Sequence, residues 1–194
     1  QAARNAGDIL LSHFHNRKQV SSKGRGNLVT EVDLLSEEVM LGLLQGEYPA
    51  FNILTEESEG IVSRSSYTWI IDPLDGTNNY IFGIPIFCVT AALTQGEEIL
   101  LGVVYDPLRD ELFRVEKGGG AYLNGSPMSV SSRTSVQTSL VGFDIGYDDD
   151  KGREILRIIS SLWPGVHSLR VMGSAALSLA YSACGRVDLY FHRC

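Results

Sequence analysis

The chain has 194 residues, 44% hydrophobic and 20% charged, with 20 glycines and a formal net charge of −7. This is an ordinary globular composition, long enough for one large domain or two small ones; the acidic balance argues against a general nucleic-acid surface, and no apolar run approaches membrane-span length. The cysteines, Cys88, Cys184 and Cys194, are odd in number and lack metal-ligand spacing, which predicts reduced thiols and a cytoplasmic protein.

Residues 1–16 read as an amphipathic helix, with Ala2, Ala6, Ile9, Leu10 and Phe14 near one face and His13 and His15 as surface residues at its end. Residues 20–27 read as a polar, basic loop around Lys23. A helix is expected over 34–45, with Asp33 as N-cap and Leu35, Val39 and Leu43 as its apolar stripe. Gly46 and Pro49 end it, and 51–55 is a short strand followed by Glu56-Glu57-Ser58. Residues 67–71 are aromatic and β-branched and read as a buried strand. Beyond it lies a meander over 86–130, with Asn124-Gly125 as its strongest hairpin signal, giving a mainly antiparallel sheet of about six strands. A Ser/Thr-rich stretch, 131–138, marks the expected boundary between a domain at 1–135 and another at 136–194. The second alternates strand and helix: strands at 139–143, 166–172 and 186–191, and helices after Asp148-Asp149-Asp150 and over 173–184. That alternation predicts an α/β layer, with the Asp triplet as a helix cap rather than a metal site and Ile155, Leu156, Ile159 and Leu162 on the helix's apolar face.

The chemistry concentrates where the 67–71 strand ends. Asp72 and Asp75 place acceptor-only oxygens there, the donors that a hard divalent cation takes. Gly76 and Thr77 follow and open a helix, whose free N–H groups suit an anion such as phosphate. A site that wants both is a metal-dependent phosphoryl-transfer site. Cys88 sits in an apolar strand and reads as a buried thiol, not a nucleophile.

The run Trp69-Ile70-Ile71-Asp72-Pro73-Leu74-Asp75-Gly76-Thr77-Asn78-Asn79-Tyr80 resembles the signature of the inositol monophosphatase family, the lithium-sensitive, magnesium-dependent sugar phosphatases. Two residues separate the aspartates here, whereas the haloacid dehalogenase phosphatases have one. The likeness extends from Lys23 to the end, through His167 to Ala176 and Gly185 to Tyr190. It implies a layered αβαβα sandwich: a large, mainly antiparallel sheet and then a smaller α/β layer. It also implies two or three Mg²⁺ ions held by Glu56, Asp72, the Leu74 carbonyl and Asp75, with Glu57 in an outer position. By the same resemblance Glu56 and Thr77 activate the attacking water, and Asp33 lies near a weakly held metal. Gly76 and Thr77 grip phosphate; Asp75, Gly173, Ser174, Ala175 and His192 face the substrate; Lys23 belongs to a loop at the site's edge. The implied partners are a small-molecule phosphate ester and a second copy in a homodimer.

Two departures accompany the resemblance. The family's Trp-Asp signature, whose Asp completes the second metal site, is not found, and His192 stands where an acidic residue is frequent. The first residue is not Met, so the expectation is a fragment whose own activity is in doubt. The expected reaction is hydrolysis of inositol 1-phosphate or a related sugar phosphate. Fructose 1,6-bisphosphate, a nucleotide 3′-phosphate and histidinol phosphate are alternatives, as is a non-catalytic binding protein.

Overall fold

The computed structural model describes residues 1–24 and 27–193, with Lys23 and Asn27 described by backbone alone. Helix α1 (Ala2–His13) lies beside α2 (Glu31–Glu47). Between them, β1 (Val20–Gly24) and β2 (Asn27–Thr30) pair antiparallel, Val20 opposite Thr30. The polar loop expected at 20–27 is therefore largely a two-stranded ribbon. Backbone groups pair whatever the side chains are, and a strand with both faces wet carries no apolar signal.

The α2 boundary also differs from expectation. Thr30, not Asp33, is the N-cap: its side chain accepts from the Val32 and Asp33 amides, and Asp33 returns a bond to the Thr30 amide. This reciprocal capping box satisfies donors that a helix start otherwise leaves open. The buried stripe is Val32, Ser36, Met40 and Leu44, with Asp33 and Glu37 beside it, while Leu35 is exposed. The apolar stripe expected at Leu35, Val39 and Leu43 is displaced because three of the buried positions are polar.

Seven strands form the main sheet: β3 (Asn52–Thr55), β4 (Tyr67–Asp75), β5 (Cys88–Gln95), β6 (Glu98–Asp106), β7 (Glu111–Glu116), β8 (Gly120–Leu123) and β9 (Ser126–Pro127). They lie in sequence order, with β3–β4 parallel and every later pair antiparallel. The expected count was about six, and the return expected after Asn124-Gly125 is present as the two-residue β9. Asn124 and Gly125, at φ 48° and 82°, make the tight turn between β8 and β9, as the dipeptide predicts. Strand β4 runs past Ile71 to Asp75, its pairing with β5 interrupted between Asp72 and Asp75. Both aspartates thus belong to the irregular end of the strand rather than to a turn beyond it.

Alternation along the strands divides the core. Trp69, Ile71, Val89 and Ala91 face α1 and α2, where Leu10, Met40 and Tyr80 are buried. Cys88, Phe113 and partly buried Val104 face the other way, toward Leu177 and Ala180. Those two residues come from α5 (Ala175–Ala183), which touches both the main sheet and β12 (Leu189–Phe191). The second sheet, β11 (Ser168–Arg170), β10 (Leu140–Phe143) and β12, is all parallel with β10 in the middle. Helix α4 (Asp149–Leu162) covers its outer face with Ile155 and Ile159. The layers are α1/α2, main sheet, α5, second sheet and α4, the αβαβα sandwich.

Asp148 caps α4 by accepting from the Asp150 and Lys151 amides, as expected of the Asp triplet. Leu156, expected on the buried face, is exposed. The strands expected at 166–172 and 186–191 are three residues each, so Asp188 lies just before β12 instead of inside it. Between β9 and β10 there is one short 3₁₀ helix, Val136–Thr138. Among the described residues no helix is long and apolar enough to cross a membrane.

Candidate active site

A cavity of about 550 Å³ opens where β4 ends and where the second sheet's strands run out toward residues 144, 171 and 192. Ligands in open α/β sheets favour this carboxyl end, because successive strands diverge there and leave a crevice. From the first layer the cavity takes Glu56, Asp72, Leu74, Asp75, Gly76 and Thr77. From the second it takes Gly173, Ala175 and His192, so most residues singled out in the sequence line one space.

The acidic side is crowded. Burial pushes the Asp72 carboxyl well above the usual carboxylate range, and the nearby charges of Asp75 and Glu56 add to it; Glu56 also meets Asp72 in a hydrogen bond. Asp72 accepts from the Leu74 amide at 3.0 Å. Asp33, on α2, is buried and raised above its ordinary value by desolvation. Its Oδ1 lies 3.1 Å from Thr77 Oγ1, which is also 3.0 Å from the Leu74 carbonyl oxygen. That hydroxyl has one proton, so it can donate to only one of these oxygens at a time.

The polar face of α2 now has an explanation. Ser36 Oγ donates to the Pro73 carbonyl at 2.9 Å, fixing the irregular end of β4. Buried Glu37 accepts from the Thr55 hydroxyl, and from the Glu57 amide at 3.0 Å, fixing the loop that carries Glu56. Asp33, Ser36 and Glu37 are the rear support of the site. Sequence reading found only Asp33 of the three; the capping-box spacing from Thr30 to Asp33 is the one local signal.

Asp75 is held from the opposite side. Ser174 Oγ donates to Asp75 Oδ2, the Ala176 and Ala175 amides donate to its two oxygens at 3.0 and 3.3 Å, and Cys88 Sγ lies 3.6 Å away. Burial raises the Asp75 carboxyl and those bonds draw it back down. Ser174 is 1% exposed and does not line the cavity; its hydroxyl is spent on Asp75 rather than turned toward a ligand. Cys88 is fully buried, and desolvation raises its thiol well above its ordinary value. That is an unreactive setting.

Gly76 caps the short helix α3 (Thr77–Ile81) at φ 95°, and a Cβ there would lie 3.0 Å from the Ile86 carbonyl oxygen. Only glycine meets both conditions without strain. Buried Asn79 donates to the carbonyls of Ile86 at 2.8 Å and Met172 at 2.7 Å, tying α3 to both layers. Asp144 accepts from the Gly173 amide at 2.8 Å and the Tyr190 hydroxyl at 2.9 Å. Neither Asn79 nor Asp144 was predicted, because their partners lie far away in sequence. Lys151, Tyr147 and Arg193 also line the cavity and were not anticipated. Lys23 stands on β1, and its side chain lies outside the described residues.

Among the described residues no three His, Cys, Asp or Glu side chains are gathered into a ready coordination group. What is assembled is the Glu56–Asp72 pair; Asp75, nearby, is turned to α5.

The model of the inositol monophosphatase family matches residues 1–193. A tomato (Solanum lycopersicum) protein named inositol monophosphatase 1 is 41% identical over 196 residues, covering 98% of this chain and 72% of that one. A Xylella fastidiosa protein named Nus factor SuhB is 38% identical, covering 98% and 70%. The crystal structure of the extragenic suppressor protein suhB from Bartonella henselae superposes with a TM-score of 0.94 at 36% identity, covering 100% of this chain and 76% of that one. A Thermotoga maritima IMPase superposes with a TM-score of 0.87 at 33% identity, covering 98% and 73%.

Proposed function

The chain belongs to the inositol monophosphatase family and is a phosphoric monoester hydrolase, and from that premise we propose that it releases phosphate from inositol 1-phosphate or a closely related polyol phosphate with the help of magnesium. The observation that carries this reading is the contact between Glu56 and Asp72 on the cavity that Thr77 also lines, with Thr77 bonded from behind by buried Asp33. The donor set fits a hard cation: it is oxygen-only and negatively charged, with Asp72 and Asp75 half-buried and Glu56 exposed, and a bare pair of carboxylates in contact is costly without a counter-charge. Glu56, Asp72 and the Leu74 carbonyl would hold one Mg²⁺, and Asp75 would contribute to a second. When bound, the ions supply Lewis-acid charge for displacement at phosphorus.

The chain's own groups do the rest. Glu56 and the Thr77 hydroxyl orient a water, and Asp33 fixes the hydroxyl from behind. The Gly76 and Thr77 amides, at the start of α3, meet phosphate oxygens. Asp75, Gly173 and Ala175 border the alcohol portion of the ester. The chain divides at about residue 135 into a metal- and phosphate-binding part and a substrate-side part. A homodimer and a cytoplasmic location complete the reading, the first by family resemblance and the second from the free thiols of Cys88 and Cys184.

The test is magnesium-dependent phosphate release from inositol 1-phosphate by the purified protein, beside Asp72→Asn. Activity that is lost with EDTA and in the variant supports the reading. A folded protein inactive on every monoester would instead favour a binding role, a reading that the Nus factor name of the Xylella relative brings forward. The intact Glu56, Asp72 and Asp75 favour catalysis.

A further inference from the structure

A bond between the two layers crosses the solvent rim of the cavity. Asn78, on α3, donates from Nδ2 to the Tyr147 hydroxyl oxygen at 3.3 Å, over 69 residues of sequence. Both residues line the cavity, and Tyr147 is 56% exposed, so the bond stands between the cavity and solvent. The backbone that presents Tyr147 is held at both ends. Asp144 accepts from the Gly173 amide and the Tyr190 hydroxyl, and Asp148 accepts from the first amides of α4. In between, Gly146 turns at φ 73°, where a Cβ would lie 3.0 Å from His192 Nε2. A side chain on so closely fitted a base is a fixed bar rather than a loose tip. Burial holds the Tyr147 phenol above its ordinary value, the Asn78 bond lowers it, and the charges of Glu56, Asp75 and Asp144 raise it again. The hydroxyl thus lies within the field of the acidic side, across the cavity from its own layer.

In the proposed reaction the phosphate meets the Gly76 and Thr77 amides, and the bridge lands on the next residue, Asn78. The alcohol part of the ester then has to fit inside the rim or displace the bridge. Displacing it costs the bond and the turning of a large side chain. We propose that Tyr147 is a specificity-determining residue: tied to Asn78, it admits esters with compact alcohols and turns away those whose alcohol extends past the rim. This rests on the phosphatase reading and adds to it the residue that limits the size of the ester.

Phenyl phosphate and 2-naphthyl phosphate differ by one fused ring and are the probes. The wild-type protein should show the higher kcat/KM on phenyl phosphate. Tyr147→Ala should raise kcat/KM on the naphthyl ester about tenfold, through KM, while leaving phenyl phosphate within about twofold. Tyr147→Phe keeps the ring and loses only the bond, so its gain on the naphthyl ester should be smaller, about threefold. Equal changes on both esters in Tyr147→Ala would assign the side chain a general structural part and overturn the proposal. No change on either ester, or a wild-type preference for the naphthyl ester, would overturn it too. If neither aryl ester is hydrolysed, release of phosphate from inositol 1-phosphate decides the phosphatase reading, and calorimetric binding of the two aryl esters decides this one. Naphthyl phosphate bound more tightly by Tyr147→Ala than by wild type, with phenyl phosphate unchanged, supports it; equal binding by the two proteins overturns it.

Discussion

Replacing Asp188 with Asn tests how the two halves of the chain are joined. The Asp188 side chain is 6% exposed and receives the Leu140 amide at 2.7 Å, the Arg133 guanidinium at 2.9 Å and the Ser131 hydroxyl. It thus pins the 131–138 connection and the start of β10 to the residue before β12. The Ser131 hydroxyl, then the Leu140 amide and Arg133, hold its carboxyl down to about 2, against 3.8 when free. Each pH unit between those values is worth about 1.4 kcal/mol, so the ionised group contributes about 2 kcal/mol at neutral pH. Arg133 is half exposed, so solvent screens its share, and the hydroxyl and amide carry most of the effect. The folded value lies below the unfolded one. The contribution is therefore complete above the unfolded value and is lost as pH falls through the folded one. Urea unfolding of wild type and Asp188→Asn should differ by about 2 kcal/mol at pH 7 and by about half that at pH 3. An equal difference at the two pH values would show that shape, not charge, explains the loss and would refute this reasoning.

Four further outcomes are expected. Ser174→Ala should raise the magnesium concentration needed for half-maximal phosphate release several-fold with little change in Tm, because it loosens Asp75 without opening the cavity wall; an unchanged magnesium curve would count against a positioning role. Glu37→Gln should lower kcat about tenfold or more with KM nearly constant, since it weakens the anchor of the Glu56 loop without entering the cavity; steady-state kinetics reads this directly. Asn79→Leu should cost about 2–3 kcal/mol in urea unfolding, because two buried carbonyls lose their donor. Asp72→Asn should unfold at a higher temperature than wild type in EDTA, having lost a crowded, half-buried charge, yet gain less from added magnesium; differential scanning calorimetry with and without the ion checks both.

The local elements and the chemistry of the site's front are legible in the residues alone. The β-branched run before Asp72, the Asn124-Gly125 turn, the Asp148 cap and the strand–helix alternation after residue 139 are local signals, and each appears in the fold where its neighbours place it. The Asp72-to-Thr77 run carried the candidate site for the same reason: strand end, carboxylates and helix start are contiguous in the chain. What stands behind and opposite that run is set by contacts that folding makes between distant segments. Ser36 meets Pro73 and Glu37 meets Thr55 across 37 and 18 residues, and a polar residue on a helix carries no mark of being buried. The same distance hid the bonding of Asp75 to Ser174, 99 residues on, and the placement of Lys151 across the cavity. Periodicity reports which positions are apolar, whereas burial of a polar group depends on the partner that folding brings to it.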